Sequence, residues 1–373
     1  MSILLTGGAG FIGSHAAVEL LNEGYDIVVV DNLENSHMES ILRVQELSGK
    51  EFPFYHVDLL DTERLNELFA AHRIDAVMHF AGFKAVGESV EKPLDYYHNN
   101  ITGTLNLCKI MKNHGVKKLV FSSSATVYGN PASLPIEETF PLSATNPYGR
   151  TKLMVEEILQ DLVVSDNSWS IALLRYFNPV GAHGSGRIGE NPTGTPNNLM
   201  PYITQVAAGK RQQLQVFGVD YETHDGTGVR DYIHVGDLVK GHLKALQFLD
   251  RNSGVESFNL GTGVGYSVLD IVAAFNKVTG IEIPYQIAAR RLGDIAACFA
   301  NSKKAEELLG WRAEKNLEDM CRDAWRWQIN NPNGFAQSLP NNVINMYVPA
   351  KEAVLQDANF TQQLNTEKIS SQA

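Results

Sequence analysis

Residues 6–13, TGGAGFIG, constrain the fold of this chain more than any other stretch, because they stand between a short apolar run, SILLT, and a helix-like one, FIGSHAAVELLNEG. The glycines fit two spacings equally, Gly8-x-Gly10-x-x-Gly13 and Gly7-x-x-Gly10-x-x-Gly13. In a strand–turn–helix setting such glycines let main chain approach a pyrophosphate and aim a helix N-terminus at it. A tight turn with no ligand would account for the glycines but not for the acid that follows. That acid is Asp31, at the end of the second apolar run, YDIVVVD, where a carboxylate can accept from an adenosine ribose and repel a 2′-phosphate. The next arginine is Arg43, so NAD is expected over NADP. Asp58, closing FPFYHVD, suits either the adenine amino group or the cap of the following helix.

The same alternation continues. FPFYHVD, DAVMHFAG and KKLVFSSS read as further strands, with helical stretches at TERLNELFAAH and LDYYHNNITGTLNLCKIMKNHG, and SIALLRYFNPVG as the sixth strand. The expected fold is α/β, a doubly wound parallel sheet of Rossmann type with a smaller C-terminal substrate-binding domain. After Asn178, the Gly/Pro/Asn-rich PVGAHGSGRIGENPTGTPNN marks a long loop leaving the sheet, suited to covering a ligand. RDYIHVGDLVKGHLKAL and SFNLGTG then read as strand, helix and strand returning to the sheet. These boundaries put residues 1–178 and about 231–262 in the NAD-binding domain, and about 179–230 and 263–335 in the substrate domain. Residues 336–373 are polar and Gln/Asn-rich apart from VINMYV, and are expected to form a loosely ordered tail.

A net charge of −11 argues against nucleic acid as a partner, which would call for clustered Lys and Arg. No apolar run approaches the ~20 residues of a membrane span, and the chain enters its glycine motif at once, so a cytoplasmic protein is expected. The three cysteines, Cys108, Cys298 and Cys321, are scattered, which indicates neither a disulfide framework nor a metal site.

PYGRTK sets Tyr148 four residues before Lys152, on one face of a helix. An ammonium near a phenol that ordinarily ionises near pH ~10 favours the phenolate, and so a proton acceptor near neutrality. An amphipathic helix face would produce the same spacing, and only its setting separates the two readings.

That setting resembles the extended short-chain dehydrogenase/reductase family and, within it, the UDP-glucose 4-epimerases. TGGAGFIGSH, HFAGFKAVGESV, FSSSATVYG, PYGRTKLMVE, LLRYFNPVGAH, NNLMPYI, DGTGVRDYIHVGDL and NLGTGVGYSVLD carry the resemblance across about residues 1–335. It implies that Tyr148, Lys152 and Ser124 are catalytic and that NAD stays bound while a UDP-hexose loses and regains hydrogen at C4 through a 4-keto sugar. For NAD it implies Gly7, Gly10, Phe11, Ile12, Gly13, Asp31, Asn32, Asp58, Leu59, Phe80, Ala81, Gly82, Lys84, Asn99, Ser122, Tyr148, Lys152 and Phe177. For the UDP-sugar it implies Ser124, Tyr148, Asn178, Asn198, Leu199, Phe217, Arg230, Tyr232, Arg291, Asp294 and Cys298, with Arg230 and Arg291 clamping the diphosphate.

The resemblance also implies a homodimer through helices near residues 92–114 and 149–165. Cys298 falls where family members carry either tyrosine or a small residue, so the pocket is expected to admit UDP-N-acetylhexosamines too. His234, Leu153 and Met154 are read as packing residues. A 4,6-dehydratase would need an Asp-Glu pair after the residue at 124, where this chain has Ala125 and Thr126. A UDP-glucuronate decarboxylase would want groups for a C6 carboxylate, and a non-catalytic NAD-binding regulator would tend to lose Tyr148 or Lys152.

Overall fold

A computed structural model describes residues 1–192, 194–291 and 294–335; the tail expected from 336 lies outside the described residues. Strands β1 (Ser2–Thr6), β2 (Asp26–Asp31), β3 (Phe54–His56), β4 (Ala76–His79), β5 (Lys118–Ser122) and β6 (Ser170–Tyr176) alternate with helices. These are α1 (Phe11–Asn22), α2 (Met38–Ser48), α3 (Thr62–Ala71), a broken run of α4 (Val86–Glu91), α5 (Pro93–Tyr97) and α6 (Gly103–Asn113), and α7 (Pro147–Ser165). Beyond them come β7 (Asn178–Val180), α8 (Leu199–Ala207), β8 (Leu214–Phe217), β9 (Val229–His234), α9 (Val235–Leu249) and β10 (Gly254–Leu260). The described chain closes with β11 (Gly265–Ser267), α10 (Val268–Thr279), β12 (Tyr285–Ala288), β13 (Ala297–Cys298), α11 (Lys303–Leu309) and α12 (Leu317–Asn330).

Seven strands form a parallel sheet in the order β10-β6-β5-β4-β1-β2-β3. The strands are apolar on both faces because side chains alternate across a sheet buried on both sides. Ile3 and Leu5 of β1 join the cluster that includes Ile27, Val29 and the α1 residues Ala17 and Leu20. Leu4, between them, joins Val28, Leu65 and Leu159 on the other face. The strand order reverses direction at β1/β4, the switch point where doubly wound sheets bind ligands at the C-terminal strand ends.

Two local readings differ from expectation. The strand in RDYIHV does not return to the main sheet: β9 pairs with β7, β11 and β13 in a second sheet, and of that segment only α9 and β10 rejoin the first. The reason is Asp231, buried in β9, whose carboxylate accepts from the backbone amides of Thr262, Gly263 and Ala300 and so binds β9 to the crossing loops. The expected single helix at LDYYHNNITGTLNLCKIMKNHG carries a π-turn at His98–Thr102, within which Asn100 bonds the loop after β4 and α7.

One buried ion pair ties α7 to the sheet. Arg175 of β6 reaches Glu156 of α7 at 2.6 Å, with side chains 4% and 0% exposed, and also donates to the Tyr128 hydroxyl at 3.1 Å. Removing one partner leaves a buried charge unpaired, so Arg175→Met is expected to destabilise the protein by about 3 to 5 kcal/mol, read as a lowered urea midpoint. A midpoint equal to wild type would contradict this role.

Candidate active site

The glycine loop packs backbone on backbone. Gly7 takes φ +70°, and a Cβ there would stand 2.6 Å from the Ala81 nitrogen, while one on Gly13 would stand 2.3 Å from the Gly7 carbonyl oxygen. Gly10 caps α1 with no side-chain hydrogen bond, which leaves the amides of Phe11, Ile12 and Gly13 to face an anion. The positive φ at Gly7 favours the 7/10/13 spacing over the 8/10/13 one.

Asp31 is buried at the end of β2. Its carboxylate accepts from Ala9 N at 3.0 Å, Leu33 N at 2.9 Å and Ser36 Oγ at 2.8 Å. Burial raises its pKa and these donors oppose the rise. Asp58 accepts from Leu60 N and Asn32 Nδ2, both at 2.8 Å, whereas α3 is capped by Asp61, so helix capping falls to Asp61 and not to Asp58. The Leu59 carbonyl accepts from Asn106 Nδ2 at 3.1 Å, fixing the chain after β3.

Phe80 and Ala81 both donate their amides to the Thr6 carbonyl beside the glycine loop. A Cβ on Gly82 would lie 3.8 Å from Lys152 Nζ, at the junction of the two motifs. The Asn99 amide donates to Asn100 Oδ1 at 3.0 Å. Lys84 pairs with Glu190 at 3.0 Å. A glycine cradle that any Cβ would fill, with an acid at the end of β2, fits NAD.

Helix α7 starts where its sequence requires: Asn146 accepts the Gly149 amide at 2.8 Å and Pro147 takes the first turn. This cap sets the Tyr148–Lys152 face. Gly149 lets the first turn close on the turn Ala125–Tyr128, since a Cβ there would already lie 3.0 Å from the Thr126 carbonyl oxygen. The closure brings Tyr148 onto Ser124, whose hydroxyl accepts from Thr126 N at 3.2 Å and Thr126 Oγ1 at 3.0 Å.

Burial is the largest influence on the Tyr148 phenol and raises its pKa; the Ser124 hydroxyl opposes the rise. Burial lowers the Lys152 ammonium to about 8, and the charge of Glu156 works against that fall. Lys152 Nζ donates to the Ser122 carbonyl at 2.8 Å and sits 4.9 Å from the centre of the Phe121 ring. The ammonium is therefore anchored to the end of β5 instead of resting on the phenol, a refinement of what spacing alone suggested.

Several supporting residues escaped the sequence reading. Asn100 accepts from Phe83 N at 2.8 Å and donates to Thr151 Oγ1 at 3.0 Å, which locks the loop after β4 to α7. His79, lowered to about 3 by burial, bridges Thr6 and Thr104. Glu156 accepts from Ser123 Oγ next to Ser124 and could have been found from the same four-residue spacing that links Tyr148 to Lys152. The Ser122 hydroxyl contacts His242 Nε2 at 3.1 Å, and because His242 Nδ1 must donate to the Leu238 carbonyl, Ser122 is the donor. His234 caps α9 and meets Asp323 at 3.2 Å, which is more than packing, and Met154 is exposed.

The remaining residues gather around β9. Asn178 and Tyr232 face each other across β7 and β9, and Cys298 is registered with Arg230. Asp294 lies 3.0 Å from Arg291 and 3.9 Å from Arg230, so both arginines expected to hold a diphosphate share one carboxylate. Arg291 also stacks over Phe217 at 5.0 Å. Phe177 packs with Ala125, Val127 and Tyr128, with Cys298 and Leu153 at the edge of that cluster. Asn198 and Leu199 open α8.

The profile of the NAD dependent epimerase/dehydratase family matches residues 3–261. The chain is 64% identical over 335 residues to the UDP-glucose 4-epimerase of Bacillus subtilis, covering 90% of this chain and 99% of that one. It is 60% identical to the UDP-glucose 4-epimerase of Dictyostelium discoideum over 337 residues, 90% of this chain and 98% of that one. The crystal structure of UDP-glucose 4-epimerase from Bifidobacterium longum in complex with NAD+ and UDP superposes with TM-score 0.87 at 55% identity, covering 90% of this chain and all (100%) of that one. The chain belongs to the NAD dependent epimerase/dehydratase family, in the branch formed by its UDP-glucose 4-epimerase relatives.

Proposed function

We propose that this chain interconverts UDP-galactose and UDP-glucose by inverting C4 of the hexose while NAD stays bound. The observation that carries the reading is the meeting of Tyr148, Ser124 and Lys152 beside the glycine cradle, where α7 closes on the end of β5. Tyr148, as phenolate, takes the proton of the 4-hydroxyl, and Ser124 bonds the same oxygen. The sugar, then a 4-ketone, turns about its bonds to the diphosphate, and Tyr148 returns the proton on the opposite configuration. NAD, when bound, supplies acceptor and then donor for the C4 hydride, and a positive ring that adds to the charge of Lys152 in lowering the phenol.

Arg230 and Arg291 would exchange Asp294 for phosphate oxygens, and Lys152 would hold the nicotinamide ribose. Dehydration is disfavoured because Ala125 and Thr126 follow Ser124 and Thr126 spends its hydroxyl on it. The division at about residue 178, with α9 and β10 completing the NAD-binding domain and β9 left to the second sheet, belongs to the same reading. So does a homodimer through the α5–α6 and α7 helices, supported by Leu94 and Val164, 79% and 86% exposed. Among the described residues no helix is long and apolar enough to cross a membrane.

Tyr148→Phe is expected to lower turnover by at least ~10²-fold, within the range of a lost general base, with NAD still bound. Near-normal epimerase activity would overturn the assignment. A second reading rests on Cys298, a side chain smaller than tyrosine packed against the cluster that holds Phe177, so UDP-N-acetylglucosamine and UDP-N-acetylgalactosamine are interconverted as well. Overpacking costs about 1 to 3 kcal/mol, so Cys298→Tyr should suppress the acetylated pair alone. No N-acetyl conversion by wild type, or an unchanged substrate ratio in the variant, contradicts it.

A further inference from the structure

Asn198 occupies the cap of α8, where an asparagine ordinarily turns its Oδ1 onto the first amides of the helix, yet it makes no such bond. Its Nδ2 donates instead to Glu190 Oε1 at 2.7 Å, and the same oxygen accepts Lys84 Nζ at 3.0 Å. A carboxylate facing an ammonium only accepts, so this contact decides which way the Asn198 amide faces, with NH2 towards Glu190 and Oδ1 away from it.

Glu190 is not an ordinary surface partner. Its side chain is 10% exposed, and Trp327 Nε1 donates to its carbonyl at 3.1 Å. The preceding Gly189 lies so close to the Trp327 ring that a Cβ would stand 2.4 Å from Cγ, and it bridges to Ala182 across the loop. The carboxylate is therefore presented from anchored backbone, between a lysine on the loop after β4 and an asparagine at the head of α8.

We infer that Glu190 is a positioning residue for substrate binding: by holding the Asn198 amide in one orientation, with Lys84 as its second anchor, it presents Asn198 Oδ1 as an acceptor to the UDP-sugar. This rests on the reading that Asn198 lines the UDP-sugar site. Glutamine at 190 keeps an oxygen that can accept from Asn198, whereas alanine leaves the amide free to rotate.

The test is steady-state kinetics on NAD-loaded protein with UDP-galactose. Glu190→Ala is expected to raise KM about tenfold with kcat within about twofold, a loss of one hydrogen bond to a charged group. Glu190→Gln should restore KM to within about threefold of wild type, and Glu190→Ala placed on Asn198→Ala should add nothing further to KM. Retained NAD and an unshifted melting temperature in Glu190→Gln separate positioning from loss of fold. An unchanged KM in Glu190→Ala beside a raised one in Asn198→Ala overturns the positioning role alone, as do equal defects in the Ala and Gln variants or additive effects in the double variant. A silent Asn198→Ala overturns the placement of Asn198 at the substrate as well.

Discussion

The hydrogen bond from Lys152 Nζ to the Ser122 carbonyl, 2.8 Å long, is the contact on which the rest of the site depends. It joins the first turns of α7 to the C-terminal end of β5, where the parallel sheet opens towards its ligands. Once that register is set, Tyr148, one turn earlier, meets Ser124, and Glu156, one turn later, meets Ser123 and Arg175. A lysine buried at such a place costs desolvation, visible in its lowered pKa of about 8. The Glu156 carboxylate and the Phe121 ring face offset part of that cost and keep the ammonium at the end of β5.

Electrostatics divides the two halves of the site. The chain carries a net charge of −11, so a dinucleotide and a sugar diphosphate must be held by local groups against an unfavourable overall field. On the cofactor side the uncapped amides of α1 can do this with no side-chain charge. On the other side Arg230 and Arg291 are held in place by Asp294. A shared carboxylate draws the two guanidinium groups towards one point, as an anion with several oxygens would.

What was legible in the sequence was local. The glycine loop, Asp31 and the Tyr148–Lys152 face each follow from spacing within one element or one turn, where backbone geometry ties residue number to direction. The ion pair between Glu156 and Arg175 and the junction of Lys84, Glu190 and Asn198 join residues from separate elements, and no spacing rule brings them together. β9 was read as a strand correctly and assigned to the wrong sheet, because an apolar alternating run carries its period but not its neighbours; Asp231 and the loops it accepts from decided the pairing. The π-turn at 98–102 was equally hidden, since its composition suits an ordinary helix.

The central claim is that Tyr148 becomes a base only when positive charge reaches a phenol that burial alone holds neutral. Its direct test is an ultraviolet difference titration of the phenolate band, NAD+-loaded wild type minus NAD+-loaded Tyr148→Phe, with Lys152→Met titrated alongside. The expected result is a Tyr148 transition below the ~10 of a free tyrosine in the loaded wild type, and a rise of that transition in Lys152→Met. A wild-type transition at or above ~10 with NAD+ bound would contradict the claim.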